Sequence, residues 1–319
     1  MLSSSVRSYP DPERYETAFV GARVEVLPTR RGAFTARSTR IVFDRLWIAL
    51  GEESGACIKH LTQAPTRAFV TFLTRPGPEV LIDGLAMPPA GLLRHSLAHT
   101  YHELSTGPTA RGAMSLPIED MGEAGIAVAG CDLIPPRDSL RITPPPAAMT
   151  RLLRLHAEAS TLAESGPATV THPEVARSLE QSLVEAMVKC LGDPEPGEET
   201  WAHRCHETIM RRFRRVLDEN PDRALYIPEI CAAIGVPDRT LRLCCHQHLG
   251  MGPKKYLMLR RMNLAQRALR AAVPDITTVT EVATQYGFWH FGRFSAVYRS
   301  MFNELPSATL QRSLDASER

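Results

Sequence analysis

Two adjacent cysteines and two histidines occur within five residues, in the stretch CCHQH at residues 244–248. On a helix, Cys244 and His248 would lie one turn apart on the same face, where both could bind one metal ion. A structural zinc site needs four ligands, however, and no C-x-x-C pair occurs among the seven cysteines. We therefore favour the alternative, in which the cysteines pack inside the protein and the other face of the helix contacts DNA.

The segment that holds these residues is repeated later in the chain. Residues 227–236 (IPEICAAIGV) align with residues 279–288 (VTEVATQYGF) at an offset of 52, and after the shared glycine the offset becomes 53. Each copy predicts a short helix, a turn that begins at Gly235 or Gly287, and a second helix, which is the helix-turn-helix layout. Glycine suits the end of the first helix because it adopts positive φ without strain.

A helix without Gly or Pro is predicted between the two copies, over residues 254–272. Its 19 residues would span about 28 Å at 1.5 Å per residue. Two helix-turn-helix units held roughly one turn of B-DNA apart, about 34 Å, can enter successive major grooves on one side of the duplex. The repeat and its spacing therefore predict DNA binding.

Residues 227–269 and 277–312 resemble the C-terminal DNA-binding domain of AraC/XylS-type transcriptional regulators. The resemblance extends over 117 residues from His203 onward, and both glycines, both prolines that follow the repeats and the block YGF…GRFSAVYR carry it. It implies seven helices, two helix-turn-helix units and promoter binding. Such proteins often join this domain to an N-terminal cupin-like β-domain that senses a small molecule and carries a dimerising helical pair, and we expect the same arrangement here.

The second helix of the first copy separates into two faces. Leu241, Cys245 and Leu249 recur at four-residue steps and predict the buried stripe, although the family usually has Phe where this chain has Cys245. A cysteine in a core behaves as a small hydrophobic residue, so the difference reduces volume without changing polarity. The opposite face carries arginines, which can bond bidentately to guanine, and Thr and His, which can contact base edges or phosphates.

In the second copy, Phe291, Phe294 and Tyr298 are predicted to form the core stripe. Arg293 is then the main candidate for a base edge, and Arg299 for a phosphate. The residues predicted to contact DNA in the two copies are Arg239, Thr240, Arg242, His246, His290, Arg293, Ala296 and Arg299.

Basic residues concentrate at the C-terminal end of the chain. The net charge is +2 overall, but residues 201–319 carry 18 Lys and Arg against 11 Asp and Glu, a net of +7. The first 200 residues carry 19 basic and 24 acidic residues, a net of −5. This asymmetry favours a C-terminal domain that meets a polyanion, although many solvated domains carry a similar charge for solubility alone.

Short apolar runs broken by Gly and Pro characterise the chain before residue 143. The runs that predict β-strands, being rich in Phe, Val and Ile and bounded by turn residues, are at residues 40–50, 67–74 and 79–84. After a triple proline, apolar residues at helical spacing predict two amphipathic helices over residues 147–165 and 172–191.

These patterns predict an α+β fold in four parts. The parts are a cupin-like β regulatory or effector domain at residues 1–143, a helical hairpin at 144–192, a linker at 193–202, and an all-α double helix-turn-helix domain of about seven helices at 203–319.

The second hairpin helix has an apolar face that is wider than one partner helix needs, because Ala176 and Ala186 extend the stripe of Leu179, Leu183 and Met187. A second subunit would cover the surplus, which predicts a homodimer through this helix. The alternative is that the hairpin packs on the strand domain of its own chain.

A histidine cluster, RHSLAHTYHEL, places His95, His99 and His102 beside Glu103. The ligand spacings of metal-binding cupins are absent, so we interpret these histidines as non-catalytic groups that line or border a pocket. No nucleophile elbow, phosphate loop or dinucleotide fingerprint occurs either, and we predict no enzyme, no cofactor and no metal site. A metal-dependent cupin enzyme fused to a DNA-binding domain, and a ligand-free adaptor that binds a protein partner, remain as alternatives.

The bulk composition fits a soluble protein. Hydrophobic residues make up 44% of the chain and charged residues 23%, and no apolar run is long enough for a membrane helix or a signal peptide. We therefore expect a cytoplasmic protein with reduced thiols and no membrane contact. The expected partners are double-stranded DNA, a small-molecule effector and, for an activator, RNA polymerase; the sequence leaves open the effector, its pocket, the operator and the sign of regulation.

Overall fold

The computed structural model describes residues 2–30, 32–97, 100–192, 201–221, 223–273 and 276–317. The α+β class is confirmed: antiparallel sheets occupy the N-terminal half and helices the C-terminal part. The strands are β1 (Ser3–Tyr9), β2 (Ala22–Pro28), β3 (Ala36–Val42), β4 (Trp47–Glu53), β5 (Cys57–Gln63), β6 (Arg67–Leu73), β7 (Val80–Ile82), β8 (Leu85–Ala86), β9 (Leu92–Arg94), β10 (Thr100–Ser105), β11 (Thr109–Pro117) and β12 (Leu140–Ile142).

Helices flank and follow these strands. Those of the N-terminal part are α1 (Pro12–Glu16), α2 (Ile118–Ala129), α3 (Pro146–Ser165), α4 (Pro167–Val170) and α5 (Pro173–Leu191). Those of the C-terminal part are α6 (Trp201–Asp218), α7 (Ile227–Ile234), α8 (Asp238–Leu249), α9 (Pro253–Ala271), α10 (Val279–Gln285), α11 (Phe291–Phe302) and α12 (Pro306–Ser317). No helix in the described ranges is long and apolar enough to cross a membrane.

Two antiparallel sheets form the β-domain. The larger sheet has the order β1-β3-β4-β11-β6-β9-β12, and the smaller has the order β2-β5-β10-β7-β8. Because side chains alternate along a strand, each sheet has an inner and an outer face. One buried cluster contains Tyr9 and Ala36 of the larger sheet and Val26 and Tyr101 of the smaller sheet, so the two sheets face each other as a sandwich.

The stretch 40–50, predicted as one strand, is instead a hairpin, and that prediction is wrong. β3 and β4 pair in antiparallel register, and Phe43 N donates to Leu46 O at 2.9 Å to close the turn. The turn has no Gly or Asn to mark it. Its exposed amides are satisfied from elsewhere, since a Glu180 carboxylate oxygen on α5 accepts from Arg45 N and Leu46 N, each at 2.8 Å.

Helix α2 interrupts a region that was predicted to be mostly β. This helix contains two glycines, Gly122 and Gly125, which serve packing. A Cβ on Gly125 would approach the Cys131 carbonyl oxygen to 2.6 Å, so the following loop can cross the helix only where no side chain stands. Tertiary packing has overridden helix propensity at this point.

The helical hairpin covers the outer face of the larger sheet. Leu183, Ala186 and Met187 of α5 are at most 1% exposed and share one core with strand residues such as Phe72 and Met114. These side chains are therefore buried within the chain's own core, and the homodimer stays a prediction. The apolar face of α5 is wide because the helix packs against both α3 and α2.

Seven helices are described from residue 201 onward, the number that the family resemblance implies. Residues 193–200 of the predicted linker lie outside the described residues, while 201 and 202 already belong to α6. The predicted central helix is α9, whose 19 residues have a length of about 28 Å.

Candidate nucleic-acid interface

Helix α8 is the second helix of the first repeat. α7 ends at Gly235, which has φ of 72°, and α8 begins after Pro237 without a side-chain cap. Leu241, Cys245 and Leu249 are fully buried, as predicted. The opposite side is open to solvent: Arg239, Arg242, Leu243 and His246 are exposed, and Thr240 is half-buried.

The cysteines of α8 belong to its core. Cys244, Cys245 and His248 are all fully buried, and Cys231 of α7 lies close enough to affect the Cys245 thiol. Burial raises the pKa of Cys244 to about 11 and that of Cys245 further, so both thiols stay protonated. Within the described part of the chain no three His, Cys, Asp or Glu side chains are grouped as metal ligands. The packing interpretation of the CCHQH stretch therefore fits the structure.

Helix α11 is the corresponding helix of the second repeat. The capping box at Thr278 and Glu281 opens α10, with Thr278 Oγ1 accepting from Glu281 N at 3.2 Å. On α11, Phe294 and Tyr298 are buried, and the Tyr298 hydroxyl lies 2.7 Å from Thr309 Oγ1 on α12. The predicted stripe is wrong at one position, because Phe291 is 42% exposed. As the first residue of the helix it lies beyond the edge of the core that the rest of the stripe contacts.

The solvent side of α11 contains four of the predicted DNA-contacting residues. Those residues, all exposed, are His290, Arg293, Ala296 and Arg299. Trp289, which precedes the helix, is 74% exposed and its ring stacks on that of His290 with centroids 3.4 Å apart. The sequence argument did not include Trp289 among the contacting residues and assigned Phe291 to the core; the signal available was that Trp289 lies where a capping Ser is common.

The exposed arginines differ in their local pairing. Arg242 forms an ion pair with Asp238 one turn earlier, with an N–O distance of 2.8 Å. Arg239 and Arg293 are exposed, and neither forms an ion pair with another described residue. A bidentate contact with guanine needs such an unengaged guanidinium.

Helix α9 holds the two repeats in place because it contributes to both of their cores. Its first half, with Tyr256, Leu257 and Leu259, packs in the cluster of α6, α7 and α8. Its second half, with Met262 and Leu269, packs in the cluster of α10, α11 and α12. The separation of α8 and α11 is thus fixed by one continuous helix.

The outer face of the smaller sheet is covered by the first repeat. Leu27, Ile58 and Leu104 alternate outward from three strands and join the core of α6, α8 and α9. Nearby, Arg214 of α6 pairs with Glu25 of β2 at 2.6 Å. Burial would raise the pKa of Glu25, but the Arg214 and Arg260 guanidinium groups outweigh it and lower that pKa.

A second contact between the two parts involves α1. Arg267 of α9 bonds to Glu16, and Arg270 lies 3.4 Å from Asp11 and 3.5 Å from Glu13. Three acidic residues of the N-terminal part thus hold the second half of α9, while the sheet holds its first half.

The segment around α1 also lines a cavity inside the β-sandwich. The wall is mainly apolar and aromatic, and includes Tyr15, Phe19, Trp47, Leu61, Phe69 and Tyr101. Its polar end holds Glu53, Lys59 and Arg111. No sequence pattern indicated this pocket, because its residues come from strands that are distant along the chain.

The polar end of the cavity is an ionic network. Lys59 bonds to Glu53 and lies 2.9 Å from Glu103, which also pairs with Arg111. Burial would raise the pKa of Glu53, but Lys59 and Arg111 lower it to about 2. Burial and Arg111 lower the pKa of Lys59.

The histidine cluster lies beside this cavity. His95 packs on Tyr101 with ring centroids 4.7 Å apart, and its Nε2 lies 2.9 Å from Thr71 Oγ1; Tyr101 and Thr71 both line the cavity. His102 faces the other way, toward His60 and the C-terminal helices. His99 lies outside the described residues. Of the two described histidines of the cluster, His95 thus has the predicted bordering position and His102 does not.

The C-terminal part of the chain is similar to known proteins. A family model described as a helix-turn-helix domain matches residues 230–312. The XylDLEGF operon transcriptional activator 2 of Pseudomonas putida is 36% identical over 106 residues, 33% of this chain and 65% of that protein. The probable thc operon regulatory protein of Rhodococcus erythropolis is 27% identical over 154 residues, 46% of this chain and 45% of that protein.

Among solved structures, the AraC-like transcriptional activator CuxR has a TM-score of 0.43 and 16% identity, covering 83% of this chain and 96% of its own. The chain spans less than two thirds of the length of the two curated relatives above. Three observations indicate the same kind of domain. They are the matches to these two relatives, the match to the helix-turn-helix family, and the two repeats joined by α9. The C-terminal segment of this chain is a DNA-binding domain of the AraC/XylS family.

Proposed function

We propose that this chain is a sequence-specific, DNA-binding transcriptional regulator that uses two helix-turn-helix units to enter successive major grooves. The observation that carries the proposal is the pair of exposed helices, α8 and α11, fixed by one helix of about 28 Å. That helix length is comparable to the distance between neighbouring major grooves on one side of B-DNA, about 34 Å, which supports the entry of both units into one face of the duplex.

Charge supports the same proposal. The C-terminal part has a net charge of +7, and both repeats present arginines on the exposed side of the recognition helix. Phosphate contacts release condensed counterions, so binding to DNA should weaken steeply as salt rises.

We also propose that the β-domain binds a small-molecule effector in the cavity between its sheets, and that no catalysis occurs there. The cavity joins an apolar wall to a paired ionic end, and such a site with few polar groups favours small, mainly apolar ligands. The relatives are named as transcriptional regulators, which supports regulation rather than an enzyme.

Helix α1 offers the physical connection between effector and DNA. Tyr15 and Phe19 face the cavity, while Asp11, Glu13 and Glu16 of the same segment hold Arg267 and Arg270 on α9. A ligand that displaces Tyr15 or Phe19 would therefore shift the acidic residues that hold the helix between the two repeats.

The DNA-binding proposal is tested on the full chain, because Leu27, Ile58 and Leu104 of the β-domain complete the core of the first repeat. Duplexes are selected from a random library, and the affinity for the selected sequence is measured by fluorescence anisotropy between about 50 and 200 mM salt. We expect a steep loss of affinity with salt. Weak binding that does not depend on salt, or on sequence, would contradict the proposal.

The effector proposal is tested by a thermal-shift screen of small metabolites. A true effector should stabilise the chain by RT ln(1 + [L]/Kd), and Leu61→Trp, which fills the cavity, should abolish that shift. A ligand-free adaptor would respond to no compound in the screen.

A further inference from the structure

The exposed side of α11 differs in chemistry from that of α8. On α8, two arginines and a histidine surround a single exposed leucine. On α11, the exposed residues before and within the first turn are Trp289, His290, Phe291, Gly292 and Arg293, and Ala296 follows one turn after Gly292. The N-terminal end of the second recognition helix is therefore mainly apolar.

The fold itself does not require this apolar surface. Phe294 and Tyr298 carry the packing of α11, whereas Phe291 is 42% and Trp289 74% exposed. Exposed aromatic side chains of this size lose contact with water only when another molecule covers them.

Gly292 gives a second, independent observation. A Cβ at this position would meet no atom of the described residues within 4 Å, and its backbone is not in the positive-φ region that favours glycine. Neither packing nor backbone conformation of the chain thus demands glycine here. Glycine at this position leaves space beside Phe291, so another molecule can approach the helix closely.

We propose that the second helix-turn-helix unit recognises thymine through its C5-methyl group, with Phe291 and Ala296 as the contacting residues and Gly292 permitting the close approach. This inference rests on the proposed DNA binding. Thymine presents the only methyl group in the major groove, and apolar side chains such as Phe and Ala pair with it. The N-terminal residues of a recognition helix are those that reach base edges.

The charges around the patch favour DNA over a protein partner. Arg293 and Arg299 lie on the same exposed side of α11, one on each side of Ala296. Cations that flank an apolar centre match a groove in which thymine methyl groups lie between two phosphate backbones.

The test uses the full chain and its selected duplex. Each thymine in the duplex is replaced, one at a time, by deoxyuridine, which removes only the methyl group. We expect a cluster of sensitive thymines in one half of the site, each losing about fourfold in affinity per buried methyl. Thymines in the other half should change affinity less than twofold.

Variants assign the effect to α11. Phe291→Ala should lower affinity for the parent duplex and make at least one of the sensitive thymines insensitive. Gly292→Leu should lose binding, although the open space around Gly292 leaves the folded stability unchanged. The matched control is Arg239→Ala on α8, which should lower affinity but keep the full thymine sensitivity.

Three results would overturn the inference. These are no deoxyuridine effect in either half of the site, an unchanged deoxyuridine effect in Phe291→Ala, and normal affinity of Gly292→Leu. Each leaves the proposed DNA binding intact. A chain that selects no sequence at all would instead contradict the proposed function, and the thymine assignment with it.

Discussion

The phenolic oxygen of Tyr256, on the helix that joins the two repeats, lies 2.5 Å from Nε2 of His60 on strand β5. Both residues are buried, and His60 also packs edge-on against His102. This hydrogen bond and the nearby ion pair between Arg214 and Glu25 thus connect the outer face of the smaller sheet to the first repeat. We expect removal of this hydrogen bond to weaken the contact between the two parts of the chain.

We expect Tyr256→Phe to lower the free energy of unfolding by about 1–3 kcal/mol, because His60 Nε2 loses its partner while it stays buried. Urea denaturation of the two single variants and the double variant with His60→Phe gives the coupling energy. Tyr298→Phe is the matched control, since its hydroxyl bonds to Thr309 within the C-terminal helices. Coupling of His60 to Tyr298 as strong as its coupling to Tyr256 would contradict a specific contact between the domains.

Arg239 and Arg242 should differ in their effect on DNA binding. Arg239→Ala is expected to cost about 1–3 kcal/mol on the selected duplex and to relax preference at one base pair. Arg242→Ala should cost less, because Asp238 already engages that guanidinium. Anisotropy titrations of both variants check the order, and Asp238→Asn, which releases Arg242, should not weaken binding. Two variants with parental affinity would mean that α8 presents a different face to DNA.

Local signals account for the parts of this fold that the sequence predicts. The repeats, their glycines and the central helix depend on residues within a few positions of each other, so pattern and spacing were sufficient. The hairpin turn at Asp44 and Arg45 was missed because a carboxylate from α5, more than 130 residues away, satisfies its amides. Helix α2 was missed because its glycines serve packing.

The functional surfaces were also predicted only where a local sequence pattern encodes them. The eight predicted DNA-contacting residues follow from helical periodicity, and seven of them are exposed while Thr240 is half-buried. Phe291 was assigned to the core because its spacing to Phe294 fits a helix, yet a helix end can extend past the core that the periodicity implies. The cavity depends on which strands become neighbours, and no local pattern encodes that.

We expect Leu183→Glu to destabilise the β-domain rather than to separate subunits. Leu183 of α5 is fully buried in the core that the helices share with the larger sheet, so a charge there has no partner and a leucine-sized contact is lost. We expect a loss of about 3–5 kcal/mol in unfolding free energy. Ser178→Glu, which adds the same charge at an exposed position of α5, is the control. If Leu183→Glu kept full stability and changed only the sedimentation mass, the dimer interpretation of this stripe would be restored.

Cys245→Ser should destabilise the chain more than Cys245→Ala. The site is fully buried among apolar residues of α7 and α8, so a hydroxyl would be left without a hydrogen-bond partner. The difference between the two variants should be about 1–2 kcal/mol by chemical denaturation. Cys131→Ser, at a half-buried position, should cost much less. Equal stability of the Ser and Ala variants would mean that a polar partner lies near Cys245.

His156 gives the chain a defined sensitivity to acid. The residue is buried between α3 and the larger sheet, where Nε2 lies 3.1 Å from the Ala49 carbonyl oxygen and the ring packs edge-on against Phe72. Burial lowers its pKa to about 4, and the bond to Ala49 only partly opposes that shift. The folded chain therefore holds this histidine neutral at a pH where the unfolded chain protonates it.

The sign of the effect follows from proton binding. Between pH 4 and 6.5 the unfolded state binds a proton at His156 and the folded state does not, so stability rises with pH through this window. The full contribution, about 3 kcal/mol, is present above pH 6.5 and is lost as pH falls to about 4. His156→Gln keeps an N–H donor for Ala49 but cannot titrate, so its unfolding free energy should fall less steeply with acid.

The measurement is the free energy of unfolding of parent and variant at several pH values from about 4 to 7. From about pH 7 to about pH 4, the unfolding free energy of the parent minus that of His156→Gln should fall by about 3 kcal/mol. His60, whose pKa burial and Arg214 lower well below the usual value, contributes to the acid sensitivity that both proteins retain. His172→Gln, at an exposed position before α5, should follow the parent curve. Parallel curves for the parent and His156→Gln would mean that His156 reaches water and titrates freely in the folded chain, contrary to its packing against Phe72.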